Sequence, residues 1–327
     1  MNKKQKHLKI AFTKDIQFKD KTTGFENYEF IHQALPELNF DEINLKTEFL
    51  GKILEAPFLI SSLTGGIPLA SKINKNLAIA AEDLKIAMAV GSQRVAIENP
   101  KITFGFQLRE FAPSTVLLAN LGAVQLNYGF GIEECKKAIE EIGADGLIFH
   151  LNPLQEVFQN EDVNFKGILK KIKTVSSSLE VPIIVKEIGF GISYDVGKKL
   201  EDFVYAIDVA GAGGTCWALV EGWDNFANWG IPTADAIFAL KDINCKIIAS
   251  GGIRTGIDVA KAIALGADLV GIGFPLLKLA KKSSFEVKNY FQKLIKELKI
   301  VMFSIGAKNL DELRNTRFLI KVKNGKI

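Results

Sequence analysis

Short apolar runs alternate with stretches of helical periodicity from about residue 56 onward. Ala56–Leu63 is continuously apolar and ends at Gly65-Gly66, the signature of a strand buried on both faces. The following stretch carries Ile73, Leu77, Ala81 and Leu84 at helical spacing. Further buried strands are predicted at Ile86–Val90, Val116–Leu121, Gly146–Leu151, Pro182–Ile188, Val204–Val209, Lys246–Ala249 and Leu269–Gly273. Helical patterns separate most of them, and Ile132, Cys135, Ile139 and Ile142 form one clear apolar face. Eight continuously apolar strands alternating with helices predict parallel pairing with the helices outside. The expected class is α/β, a (β/α)8 TIM barrel, with an open doubly wound sheet as the alternative. Residues 1–55 read as a polar, irregular N-terminal arm or lid. Residues 56–327 read as the barrel with C-terminal helices, the whole forming one domain. Val287, Phe291, Leu294, Leu298 and Val301 predict a C-terminal accessory helix packed on that barrel.

In such a barrel chemistry gathers where strands end and βα loops begin. The first strand runs into Thr64-Gly65-Gly66, the second into Gly91-Ser92-Gln93-Arg94 and the third into Asn120. The fourth runs into His150-Leu151-Asn152, with Gln155-Glu156 beyond, and the fifth carries Lys186-Glu187. The sixth meets Gly211-Ala-Gly-Gly-Thr215, the seventh Ser250-Gly-Gly-Ile-Arg254, and the eighth Gly273-Phe274. The glycines after strand seven let backbone N–H groups approach a phosphate at a helix start, or simply make a tight turn. Lys186 sits among apolar neighbours, where a cation is costly without an anion or polar cofactor. It reads as a Schiff-base lysine, as a cation beside a flavin, or as a structural partner of Glu187. Glu156 suits a water-rich Mg2+ site, or is a solvated loop carboxylate. His150 is a core histidine or a catalyst. Trp217, Trp223 and Trp229 read as packing residues.

Charge and cysteine content narrow the classes. The chain has 327 residues, of which 48% are hydrophobic, and 41 basic against 37 acidic residues give a net charge of +4. That balance does not indicate a nucleic-acid binder. Lys3, Lys4, Lys6 and Lys9 nevertheless crowd the first ten residues around His7, as a solvated tail or as a clamp for a diphosphate. Cys135, Cys216 and Cys245 match neither a disulfide framework nor a metal-ligand spacing, which implies a reducing cytoplasm. No apolar stretch approaches the roughly 18 residues of a membrane span.

Taken together, the rim motifs resemble the type 2 isopentenyl-diphosphate isomerase family. The likeness rests on the motifs above, on Thr22-Thr23-Gly24-Phe25 and, most specifically, on His150-Leu-Asn-Pro-Leu-Gln155-Glu156. It runs in order from about residue 3 to about residue 310. The resemblance implies conversion of isopentenyl diphosphate to dimethylallyl diphosphate in isoprenoid biosynthesis, with FMN, Mg2+ and NADPH as reductant of the flavin. It implies that Ser62, Leu63, Thr64, Ser92, Asn120, Lys186, Thr215, Gly252, Ile253, Arg254, Gly273 and Phe274 hold FMN. Lys3, Lys4, His7, Arg94, Asn152 and Gln155 would hold the substrate, Gln155 and His150 would serve catalysis, and Glu156 would bind Mg2+. It also implies a homo-oligomer, a tetramer or octamer. The chain departs from the family pattern at Lys3 in place of arginine, Cys216 in place of serine and Leu63 in place of methionine. The alternatives are another FMN-dependent barrel, a 2-hydroxy-acid oxidase or a relative of inosine-monophosphate dehydrogenase, and a non-catalytic flavin- or phosphate-binding protein.

Overall fold

Runs such as Ile183-Ile-Val185 and Ile247-Ile-Ala249 combine β-branched stiffness with the absence of any side chain that needs water, so they become strands covered on both faces. The computed structural model describes residues 3–66, 68–99 and 105–322, without the side chains of Lys3 and Lys4. In chain order it opens with helix α1 (Lys3–Thr13), strand β1 (Tyr28–Phe30) and the hairpin β2 (Thr47–Phe49) and β3 (Lys52–Leu54). The barrel begins with β4 (Phe58–Ile60), α2 (Pro68–Leu84), β5 (Ala87–Ala89), α3 (Arg94–Glu98), β6 (Leu117–Gly122), α4 (Ile132–Ile142) and β7 (Gly146–His150). It continues with α5 (Pro153–Gln159), α6 (Ile168–Ser176), β8 (Ile183–Lys186), α7 (Tyr194–Leu200), β9 (Ala206–Asp208), α8 (Trp217–Glu221) and α9 (Thr233–Leu240). Then come β10 (Lys246–Ser250), α10 (Gly256–Ala264), β11 (Leu269–Ile272), α11 (Phe274–Lys282), α12 (Ser284–Ser304), α13 (Leu310–Arg314) and β12 (Leu319–Lys321).

Strands β4 to β11 close into a parallel barrel, β11 returning to β4 with Val270 opposite Phe58 and Ile272 opposite Ile60. All eight expected strands are present, and an open sheet is excluded. Because side chains alternate along a strand, residues two apart share a face. Leu59, Ala87, Leu118, Ile148, Ile184, Ala206, Ile248 and Leu269 therefore form one wholly buried interior layer. Two residues further along, the same strands present Ser61, Ala89, Asn120, His150, Lys186, Asp208, Ser250 and Gly271. The barrel is thus apolar inside and polar at its C-terminal mouth.

The arm is more ordered than its polar sequence suggests. Phe49 and Leu54 of the hairpin join the interior layer and plug the end opposite the mouth, with the Phe49 ring 5.2 Å from that of Tyr205. Strand β1 pairs antiparallel with β12, tying the two ends of the chain together. Residues Ile16 and Phe18 are buried against the sixth loop: Cys216 N donates to Ile16 O at 2.8 Å and Phe18 N to Gly214 O at 2.9 Å. These apolar positions are too irregularly spaced to show a period, because each docks on a different part of the barrel. The C-terminal helix forms as expected, with Met302 buried one residue beyond the expected Val301. It completes the outer ring between α10 and α2: Gly256 abuts the Glu297–Leu298 backbone, Lys288 reaches Asp83 at 2.8 Å, and Phe291 packs against Phe58.

Candidate active site

A cavity of about 320 Å³ opens at the barrel mouth above the polar layer. Every one of the twelve residues expected to hold a flavin, from Ser62 to Phe274, lines it. So do His7, His150 and Gln155. Arg94, Asn152 and Glu156 stand behind that wall, and the side chains of Lys3 and Lys4 lie outside the described residues.

The sixth and seventh loops make the cradle on one side. Gly213 has φ +113°, Gly251 +102° and Gly252 +73°, backbone that side-chain-bearing residues rarely adopt. A Cβ at Gly251 would lie 2.1 Å from Gly211 O, and one at Gly213 would lie 2.3 Å from Thr23 N. The Thr22-Thr23 segment of the arm therefore packs backbone to backbone under the loops. Thr255 caps α10 by accepting from Asp258 N, while Asp258 accepts from the N–H groups of Thr255 and Arg254. That reciprocal cap fixes where the loop ends and the helix begins. Arg254 is held by Gln17 Oε1 at 2.7 Å and the Ile253 carbonyl at 2.9 Å. Burial lowers its pKa, and among the described residues no carboxylate forms an ion pair with it. A half-buried guanidinium so placed calls for an anion.

The opposite wall is a linked set of polar groups. His150 Nδ1 lies 2.7 Å from Asn120 Oδ1, and Asn120 Nδ2 donates to Ser62 Oγ at 2.6 Å. Gln93 accepts the Asn120 N–H at 3.0 Å and anchors itself to Ala138 O, so the amide has one orientation. Gly122 faces the imidazole so closely that a Cβ there would lie 3.2 Å from Nε2. Pro153 in the first turn of α5 needs no N–H partner and starts the helix directly after Asn152. The turn carries Gln155 and Glu156 to the rim. Asn152 Nδ2 donates to Gln155 Oε1 at 3.0 Å and to Glu156 Oε1 at 2.7 Å, and Glu156 Oε2 accepts from Asp162 N at 3.1 Å. Burial raises the Glu156 pKa, and the neighbouring Asp162 and Glu161 charges add to that. Arg94 bridges Asp162 at 2.6 Å and Glu98 at 2.8 Å.

Lys186 is buried at the floor, donating to Glu187 O at 2.6 Å with Asp208 Oδ2 3.6 Å away. Glu187 turns away from it: its Oε2 accepts the N–H groups of Ile188, Gly189 and Phe190 at 2.6, 2.7 and 2.5 Å. Burial outweighs those donors and raises its pKa to about 7. From above, α1 brings His7, Leu8 and Ala11 over the mouth, with His7 Nε2 2.9 Å from Glu221 Oε1.

Three features were not legible in the sequence. Trp217, expected to be packing, lines the cavity, its ring 5.3 Å from and edge-on to His7; Trp223 instead stacks on Phe158, and Trp229 sits against Phe226. Asp208 and the Ser61 hydroxyl, which has no hydrogen-bond partner among the described residues, also belong to the polar layer. A carboxylate inside the otherwise apolar Val204–Val209 run was the available signal for the first. Cys216, which follows the sixth strand, is buried with Sγ 3.7 Å from Ala227 O, and burial pushes its thiol pKa up, which disfavours a nucleophilic thiolate there.

The residues present fit FMN. Gly213, Gly251 and Gly252 let the sixth and seventh loops and the Thr22-Thr23 segment close backbone to backbone into one wall of the cavity, Arg254 forms no ion pair with a carboxylate among the described residues, Ser61 Oγ lacks a partner among them, and Lys186 supplies a floor cation. For a divalent cation, the crowding that makes the Glu156 anion unfavourable is what a bound cation would relieve. Among the described residues no group of three or more His, Cys, Asp and Glu forms a metal cluster, and no helix is long and apolar enough to cross a membrane.

Residues 150–320 match a family profile described as FMN-dependent dehydrogenase. An isopentenyl-diphosphate delta-isomerase of Nostoc sp. is 47% identical, over 98% of this chain and 96% of its own. One of Oceanobacillus iheyensis is 46% identical over 96% and 94%, and one of Rickettsia bellii 45% over 96% of each. Among solved structures, a mutant flavocytochrome b2 with pyruvate bound has a TM-score of 0.69 at 18% identity, covering 96% of this chain and 82% of that one. A putative lactate oxidase of Pediococcus acidilactici has 0.67 at 20%, covering 98% and 94%. At those identities the two share the fold alone.

Proposed function

The chain belongs to the isopentenyl-diphosphate delta-isomerases and carries an FMN-dependent dehydrogenase domain, and from that premise we propose that it converts isopentenyl diphosphate to dimethylallyl diphosphate. The observation that carries the reading is that His150, Gln155, Lys186 and the glycine cradle ending at Arg254 face one cavity. The reaction gains a proton at the terminal methylene and loses one from C2, so it is redox-neutral overall. FMN, when bound and reduced, supplies the group that relays the proton.

In this proposal the Gly252–Arg254 backbone and side chain would hold the FMN phosphate, using close N–H approach and a cation with no ion pair among the described residues. Lys186 favours negative charge on the ring, and Asn120, Ser62, Thr64, Ser92 and Thr215 orient it. Gln155 and His150 stand over the reacting carbons, with Leu8, Ala11 and α1 excluding water, which strengthens every electrostatic contact inside. His7, Lys3, Lys4, Arg94 and Asn152 would take the diphosphate, and Glu156 would hold a Mg2+ ion, which would supply positive charge to the diphosphate. NADPH is the proposed reductant. We place the protein in the cytoplasm, which suits its three free cysteines, and as a homo-oligomer.

The hydroxy-acid oxidase reading calls for a histidine–aspartate pair; the Nδ1 of His150 meets Asn120 Oδ1 at 2.7 Å. The direct test is anaerobic incubation with FMN, NADPH, Mg2+ and isopentenyl diphosphate. Dimethylallyl diphosphate is expected; protein that binds FMN yet forms none of it would refute the assignment.

A further inference from the structure

Asp208 closes β9 at the level of the polar layer, is wholly buried, and does not line the cavity. Its two oxygens are used differently. Oδ1 accepts Ser250 Oγ at 2.5 Å and Ala210 N at 3.2 Å. Among the described residues Oδ2 has no hydrogen-bond donor, and it faces the Lys186 ammonium across 3.6 Å. Ser250 is the first residue of the Ser250-Gly-Gly-Ile-Arg254 loop, so one carboxylate joins the fifth, sixth and seventh strand ends. Lys186 is independently held by the Glu187 carbonyl, so its place does not depend on Asp208 alone. What depends on Asp208 is how much of the ammonium charge reaches the cavity. A counter-charge about 4 Å away in a water-poor interior is felt strongly on the far side of the pair.

We propose that Asp208 is a positioning residue that orients the Lys186 ammonium and offsets its charge, so that the carboxylate sets how strongly the site favours a reduced, negatively charged flavin. This rests on the reading that FMN occupies the cavity with Lys186 against its ring. A purely structural aspartate would alter stability and leave the flavin's electron affinity where it was.

The test is the FMN midpoint potential of the holoenzyme, measured by spectroelectrochemistry for wild type and Asp208→Asn. Asparagine keeps the shape and an oxygen for Ser250 and Ala210, but removes the counter-charge. The expected result is a roughly tenfold greater preference for reduced over oxidised FMN, because the ammonium charge then acts on the ring without its offset. For a two-electron couple that is a positive shift of about 30 mV. In a Lys186→Met background the same substitution should shift the potential far less, because a wholly buried carboxylate without its ammonium partner takes up a proton and leaves no charge to remove. An unchanged or lowered potential in Asp208→Asn, or an equal shift without the lysine, overturns the proposal. If Asp208→Asn does not fold, Ser250→Ala serves: losing its hydroxyl donor concentrates the carboxylate charge on Lys186 and should lower the potential, and no shift overturns the proposal. Wild-type protein that takes up no FMN would instead sink the functional reading on which this depends.

Discussion

Replacing Gly251 by alanine tests the cradle more severely than any side-chain deletion. Its φ of +102° is one that a Cβ opposes, a strain of about 1–3 kcal/mol. The added atom would also meet Gly211 O at 2.1 Å and Gly211 N at 2.6 Å. Those are backbone atoms, so no rotamer relieves the contact and the sixth and seventh loops must separate. Overpacking of that kind costs about 1–3 kcal/mol more. The sum is about 2–6 kcal/mol, or roughly 4–12 °C in melting temperature at about 2 °C per kcal/mol for a chain of this size. Gly129→Ala is the matched control, since Gly129 has φ +89° and nothing within 4 Å of its virtual Cβ. It should lose only the conformational part, about 1–2 kcal/mol. Thermal denaturation of the flavin-free proteins gives the first comparison, and titration of FMN fluorescence gives the second. Gly251→Ala should bind FMN at least tenfold more weakly, whereas Gly129→Ala should bind normally. Equal melting of the two variants would refute the close-approach argument, and normal FMN binding by Gly251→Ala would refute the cradle.

Three other substitutions separate the remaining roles. Glu156→Gln should raise the Mg2+ concentration needed for half-maximal turnover by tenfold or more, or abolish turnover; an unchanged Mg2+ titration removes it as a ligand. Glu187 has a folded pKa raised to about 7, so its protonated form belongs to the native state and its stabilising contribution fades as pH rises from about 4.5 through about 7. Urea unfolding of Glu187→Gln, whose amide oxygen still accepts the three loop N–H groups, should show less loss of stability across that window than wild type, and an identical pH profile would contradict it. Cys216→Ser should keep most of its activity and lose under about 1 kcal/mol of stability, since the buried thiol only approaches Ala227 O; loss of all turnover would revive a cysteine nucleophile.

Much of the site was legible because a parallel barrel converts linear order into radial order. Every strand delivers its trailing residues to the same rim, so Thr64, Asn120, Lys186 and Arg254, far apart in the chain, needed only correct strands to meet. The chemistry of Lys186 was open from sequence because a buried cation has several uses, and only its distances to Glu187 O and Asp208 narrow them. Arg94 and Glu156 came after strand ends just as the others did, yet stand behind the cavity wall, because each belongs to a short helix that turns it towards Asp162. The arm shows no pattern in the sequence because Leu8, Ile16, Phe18 and Phe49 obey no local period.

What the sequence determined by itself was the alternation of apolar runs and amphipathic helices, and with it the barrel and the identity of its rim residues, since strand and helix periods are local properties of the chain. Tertiary structure alone decided the rest. It set Phe49 and Leu54 into the closed end, brought Trp217 to the mouth, laid Thr23 beneath Gly213, and placed Asp208 behind Lys186. Those contacts join segments whose spacing carries no common period, so they arise only when the closed barrel brings distant backbones within a few ångströms of each other.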